Sequence, residues 1–240
     1  MRARIPALAA LAGAALLATG VHAAAPRPAG TVTFVTGEAT RAARGAPERL
    51  AAGTLVYAGD VLVTGRRTRL EVKLGDQSLL RLGPLSRAVV QSASFGASAE
   101  DREVSAKLLV GQVWANVAKA VGGKARFEVR TENAVAGVRG TTFRVDAGKD
   151  RSVVVKVYNG TVAVAAGATP RPEHAGGKAE RRQVPGPVEV SREQWERIVT
   201  SMMAVRVSAE GVATEPEVFA LAAPGGDEWE EWNRGRDAAR

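Results

Sequence analysis

Cysteine is missing from this chain, and histidine occurs only twice in its 240 residues. The first absence excludes disulfide scaffolds, thiolate–zinc sites, thiol nucleophiles and lipids carried on cysteine. Aromatic residues are few, at four Trp, two Tyr and five Phe, so the core must be mainly aliphatic. The formal charge is +8, yet no five basic residues stand in a row. That pattern describes charge spread over a surface and gives no reason to invoke nucleic acid. No HExxH, paired histidine, acidic cage, Walker-type or dinucleotide glycine pattern is present. Gly137-Val138-Arg139-Gly140 lacks the strand–loop–helix setting that phosphate cradling needs. Cofactor, metal and catalytic residues are therefore all expected to be none.

Long apolar runs are also absent. The uncharged stretch from Ile5 to Ala18 falls short of the ~20 residues that span a bilayer comfortably. It follows Arg2 and Arg4 and precedes Val21-His22-Ala23. Residues 1–23 therefore read as a secretory signal cut near Ala23, with a retained anchor as the competing reading. Cleavage removes Arg2 and Arg4, which lowers +8 by two to +6. The expected location is periplasmic or secreted, with no transmembrane segment left after cleavage. Anionic envelope material then becomes the natural counter-charge.

After a linker at 24–29, residues 30–165 are dominated by a period of two. Leu70-Glu71-Val72-Lys73-Leu74, Phe127-Glu128-Val129-Arg130-Thr131 and Thr142-Phe143-Arg144-Val145-Asp146 alternate apolar and polar residues, which places each set on one face of a strand. Val153-Val154-Val155-Lys156-Val157 is denser and suits a central strand. Gly59-Asp60, Thr64-Gly65, Gly75-Asp76, Gly111 and Asn159-Gly160 punctuate the runs. Tyr158-Asn159-Gly160-Thr161 predicts a tight hairpin. Many short strands of this kind predict a mostly β fold.

Residues 166–188 shift to Pro, Gly and charge, which predicts a loop or edge strand holding a solvated His174. Residues 189–240 predict a helical extension. Ser191 and Gln194 have capping spacing, and Trp195, Ile198, Val199, Met202 and Met203 fall on one helical face. A short helical tail follows, capped by Asp227 and Glu230. Its Trp229 and Trp232 share a face, and Glu230 can pair with Arg234. The two Trp either anchor the tail to the domain or form a hook for a partner. They are thus the candidate partner contacts.

Carboxylates and arginines complete the survey. Asp60 and Asp76 follow glycine in turns, where Asp bonds nearby backbone N–H groups; a hydrolytic pair would need them to face each other across a cleft. Arg139 lies between two strands beside Gly137 and Gly140. It reads as a structural latch in preference to a ligand clamp, because no second basic or aromatic residue nearby in sequence completes a pocket.

The ordered series resembles the FecR domain, the periplasmic part of ferric-citrate-type sigma regulators. Its residues are Gly59-Asp60 with Thr64-Gly65, then Leu74-Gly75-Asp76-Gln77-Ser78. Phe127, Val129 and Thr131 follow, then Ala134 to Val138, Arg139-Gly140-Thr141, Phe143 and Val145. A closing hairpin over Val155 to Val164, through Asn159-Gly160, completes it. The resemblance implies a twisted, antiparallel, partly solenoid-like β domain without catalytic activity. Where the regulators carry an anti-sigma helix bundle and a membrane helix, this chain has its signal segment, so the expected role is an exported binding or scaffold module. The partner implied is another envelope protein, such as an outer-membrane receptor or inner-membrane regulator. Peptidoglycan or lipopolysaccharide binding is the alternative, and a carboxylate-based hydrolase ranks last.

Overall fold

The computed structural model describes residues 27–42, 46–96, 102–119, 126–166 and 196–240. The signal segment, most of the Pro/Gly-rich stretch with His174, and Ser191, Gln194 and Trp195 lie outside these residues. The strands are β1 (Pro28–Thr36), β2 (Ala39–Ala42), β3 (Glu48–Arg49), β4 (Leu55–Tyr57), β5 (Val61–Thr64) and β6 (Arg69–Leu74). They continue as β7 (Leu79–Leu82), β8 (Arg87–Phe95), β9 (Arg102–Asn116), β10 (Arg126–Arg130), β11 (Ala134–Val138) and β12 (Thr142–Ala147). The last five are β13 (Val153–Asn159), β14 (Thr161–Ala166), β15 (Glu196–Thr200), β16 (Met203–Val207) and β17 (Glu217–Val218), followed by helix α1 (Glu228–Ala238). The first strand thus starts two residues inside the expected linker, and Ala29 is already buried.

The strand pairings resolve into two layers that share one strand. Sheet A runs β4-β1-β6-β7-β9-β12-β13-β16-β17. Sheet B runs β3-β2-β5-β8-β9-β10-β11-β14-β15. Residues 102–110 of β9 pair in sheet B and residues 111–116 in sheet A. All pairings are antiparallel except β9 with β10. The apolar half of each alternation lies between the layers. Leu70, Val72, Leu80, Val113, Phe143, Val155 and Val205 from sheet A join Leu62, Val90, Leu108, Phe127, Val129, Val162 and Val199 from sheet B in one core.

The chain passes between the layers repeatedly, and each of nine such crossings holds one residue with positive φ. They are Gly37, Gly53, Gly59, Arg67, Leu85, Gly111, Gly140, Gly160 and Met202. A left-handed residue reverses the local sense of the backbone, which lets a strand turn out of one layer into the other. At Gly111 (φ 99°) this occurs inside a continuous strand, and a Cβ there would meet the Ser86 Cα at 2.5 Å. Only glycine fits this position.

Two expectations are corrected. Tyr158-Asn159-Gly160-Thr161 is not a hairpin: β13 pairs with β12 and β16, whereas β14 pairs with β11 and β15. Gly160 (φ 97°) therefore turns a corner between layers. The left-handed geometry that a tight hairpin requires is also what the corner uses, so the local signal fits both. The predicted helix over Ile198 to Met203 is two strands. Ile198, Val199 and Thr200 are β-branched, Val199 is buried while Ile198 stays exposed, and Met202 (φ 61°) breaks the segment. A helical spacing of apolar residues is present, but pairing with β14 buries Val199 and leaves Ile198 on the outer face.

Candidate functional site

The polar half of the sheet A alternation forms a row running straight across the strands. Register places Phe34, Glu71, Arg81, Trp114, Arg144, Lys156 and Ala204 side by side on β1, β6, β7, β9, β12, β13 and β16. Alternation alone would leave this face in water. Instead α1 lies over it, and Glu71, Arg81 and Trp114 are almost fully buried.

Glu71 is the focus of this cover. Its carboxylate accepts from Thr33 Oγ1 at 2.7 Å, Arg81 Nε at 2.7 Å, Arg236 Nη2 at 3.0 Å and Arg240 Nη2 at 2.8 Å. Burial alone would push this carboxyl up, but the bonds from Arg236, Thr33 and Arg81 outweigh it and hold the group at about 2. Arg81 also reaches Asn233 (O at 3.3 Å, Oδ1 at 3.2 Å) and lies 2.7 Å from Asp237. This last contact is an ion pair whose angles fall short of a hydrogen bond, since Arg81 Nη2 and Asp237 Oδ1 lack aligned partners. Asp237 accepts from the Trp114 indole N–H at 3.0 Å.

A second cluster lies at the other end of the helix. Arg144 binds Asp146 at 2.8 Å and Asp227 at 2.6 Å. Burial works against the Arg144 charge, but Asp146 and Asp227 more than restore it. Asp227 caps α1 by accepting from the Glu230 N–H at 3.0 Å. Glu230 turns inward, away from its expected partner Arg234. It accepts from the Tyr158 hydroxyl at 2.9 Å and the Ala222 N–H at 3.0 Å. Burial, with Glu230 beside it, pushes the Tyr158 phenol upward.

The two Trp of α1 serve as anchors. Trp229 is buried and stacks on Trp232 at 5.3 Å, and Trp232 meets the Phe34 ring at 5.5 Å. The guanidinium of Arg236 lies 5.2 Å from the Trp232 ring and 4.6 Å from that of Phe34. Trp229 is thereby corrected as a partner contact, because its ring has no free face to offer.

The turn residues of the sequence reading serve the fold. Asp60 accepts from the Tyr57 N–H at 2.8 Å and lies 3.4 Å from Arg41, and Asp76 accepts from the Ser78 N–H and hydroxyl at 2.9 and 2.8 Å. Each carboxylate is engaged within its own turn, as expected. Thr141 Oγ1 donates to the Arg139 and Thr161 carbonyls, both at 3.0 Å, which ties the Gly140 and Gly160 corners together. Phe143 is fully buried, edge-on to Phe127.

Arg139 is not a latch. Its side chain is exposed and has no ion pair among the described residues, and it borders a cavity of about 20 Å³ together with Arg102, Arg126 and Asp76. The basic neighbours that the sequence lacked nearby come from β9 and β10. A wider groove of about 260 Å³ opens at the opposite end, beside Thr131, Asn133 and Gly148. There the buried Asn133 amide donates to the Arg151 and Ser208 carbonyls, a brace between turns.

The outer face of sheet B contrasts with that of sheet A. Gly137, Ala163 and Ile198 lie in register, with Val135 and Ala165 in the adjacent lane. Among the described residues no helix covers them. Among the described residues β15 is the last strand of its sheet, with Ile198 56% exposed.

Residues 60–163 match the family model described as FecR protein. Two solved structures of a candidate anti-sigma factor from Parabacteroides distasonis are similar to this chain. One has 16% identity over 73% of this chain and 65% of that one, with a TM-score of 0.49. The other has 17% identity over 66% and 59%, with a TM-score of 0.46. The chain thus spans less than two thirds of the length of either. No curated protein matches it.

Proposed function

Because residues 60–163 match the family model described as FecR protein, we propose that this chain is a non-enzymatic, exported binding module that contacts another cell-envelope protein in signalling. The observation that carries the reading is the β15 edge. A terminal strand offers N–H and C=O groups to an incoming strand, and here Ile198 stands exposed beside the flat lane of Gly137 and Ala163. Small residues let a second backbone lie close to the sheet. The partner's strand pairs with β15, and its apolar side chains cover Ile198 and Ala163.

The test places a photo-cross-linker at Ile198 in the full chain in the cell envelope, with the same group at the exposed turn residue Arg66 as control. The expected product is one discrete protein adduct from position 198, lost when Ala163→Arg is introduced. Recovery of peptidoglycan or lipopolysaccharide instead, or equal labelling from both positions, refutes the reading.

A further inference from the structure

At the end of the sandwich where β9 and β10 begin, three arginines from distant parts of the sequence border one small cavity. Arg102 opens β9, Arg126 opens β10, and Arg139 follows β11. Among the described residues none of the three has an ion pair or a side-chain hydrogen bond, in contrast to Arg41, Arg81, Arg130 and Arg144, each of which is held by a carboxylate. Lys119 packs against Gly140 next to Arg139. Among the described residues Asp76 is the one acid lining the cavity, and both its oxygens accept from Ser78. Among the described residues, positive charge therefore exceeds negative at this mouth.

The cavity floor is apolar. Val117, Phe127 and Val138 are buried. An anion entering here loses little competition from protein dipoles and meets guanidinium groups beside a low-dielectric wall, where their attraction is stronger than in water. The enclosed part of the cavity, about 20 Å³, is roughly one water in capacity, enough to seat the tip of a carboxylate. Planar forks suit a carboxylate as well.

We infer that Arg102, Arg126 and Arg139 form a receptor for an acidic side chain of the protein partner, at a site separate from the β15 edge. The inference rests on the reading of this chain as a protein-binding module, and it adds an acidic segment to the description of what is bound.

The probe is a dye-labelled oligoglutamate peptide, titrated with the full chain by fluorescence anisotropy, with inorganic phosphate and lipopolysaccharide vesicles as competitors. Binding is expected to weaken with added salt and to fall about tenfold for each arginine removed in the series R139Q, R126Q/R139Q and R102Q/R126Q/R139Q. All three side chains are at least partly exposed, so these variants should keep the wild-type melting curve. The exposed turn pair R66Q/R67Q should leave binding unchanged. Equal binding by the triple variant overturns the inference, as does a mouth that takes phosphate or vesicles but not the peptide. Ile198→Asp should not alter peptide binding. Loss of the cross-link at position 198 with peptide binding intact therefore refutes the edge reading alone, and the converse outcome refutes this one alone.

Discussion

Replacing Glu71 with glutamine keeps the shape of the side chain and removes the charge on which α1 converges. Arg81, Arg236, Arg240 and Thr33 all donate to that carboxylate. The carboxyl is held at about 2 against an ordinary 4.5. Each unit corresponds to about 1.4 kcal/mol, and discounting for solvent on the Arg236 and Arg240 side leaves on the order of 2 kcal/mol. The glutamine amide adds a donor facing guanidinium donors, worth about 1 kcal/mol more. The expected loss at neutral pH is thus about 3 kcal/mol. The sign with pH follows from a depressed folded value. The stabilisation is complete above pH 4.5 and disappears as pH falls from there toward 2, because protonating Glu71 removes the same charge. Urea unfolding followed by Trp fluorescence should show the wild-type advantage shrinking to about 1 kcal/mol at the acid end, with an unchanged slope against denaturant. A loss below about 1 kcal/mol at pH 7 would refute the reasoning. So would a gap of constant size across the acid range.

Gly111→Ala should destabilise by about 2 kcal/mol or more, since it combines positive φ with a backbone clash at Ser86; an unchanged thermal midpoint would remove the corner from the explanation of the fold. Tyr158→Phe should cost about 1–2 kcal/mol by stripping the buried Glu230 of a donor, and hydrogen exchange should show α1 opening more readily than the sheets. Trp229→Ala should cost about 3 kcal/mol in urea unfolding, whereas a neutral result would mean that the aromatic stack does not hold the helix. Arg139→Gln should leave unfolding within about 0.5 kcal/mol of wild type; a larger loss would restore its role as a latch.

The strands were legible because one half of each alternation had only one place to go. Leu70, Val72 and Leu74 need an interior, and no competing period interferes. The fate of the other half was not legible. Glu71, Arg81 and Arg144 look like solvent-facing residues when read along their own strands. Only a helix more than eighty residues further on, with Asp227, Glu230, Arg236 and Asp237 on it, makes them interior. The complementary charges of that tail were in view, but nothing local linked them to the sheet. The cap at Asp227 could be read from spacing of three residues. The arginine mouth could not, since 102, 126 and 139 share no period and meet through the parallel pairing of β9 with β10 and the antiparallel pairing of β10 with β11. The segment from 196 to 207 carried both a helical and a strand pattern, and the neighbouring β13 and β14 decided between them.

Arg236 and Arg240 come 165 and 169 residues after the glutamate they hold. During synthesis the strands that carry Glu71 and Arg81 can therefore pair long before their cover arrives. What waits beneath is a strip of ions around one tryptophan, a surface that water can wet without drawing in another chain. A greasy seam under the helix would hold it as firmly but would leave the half-made protein adhesive.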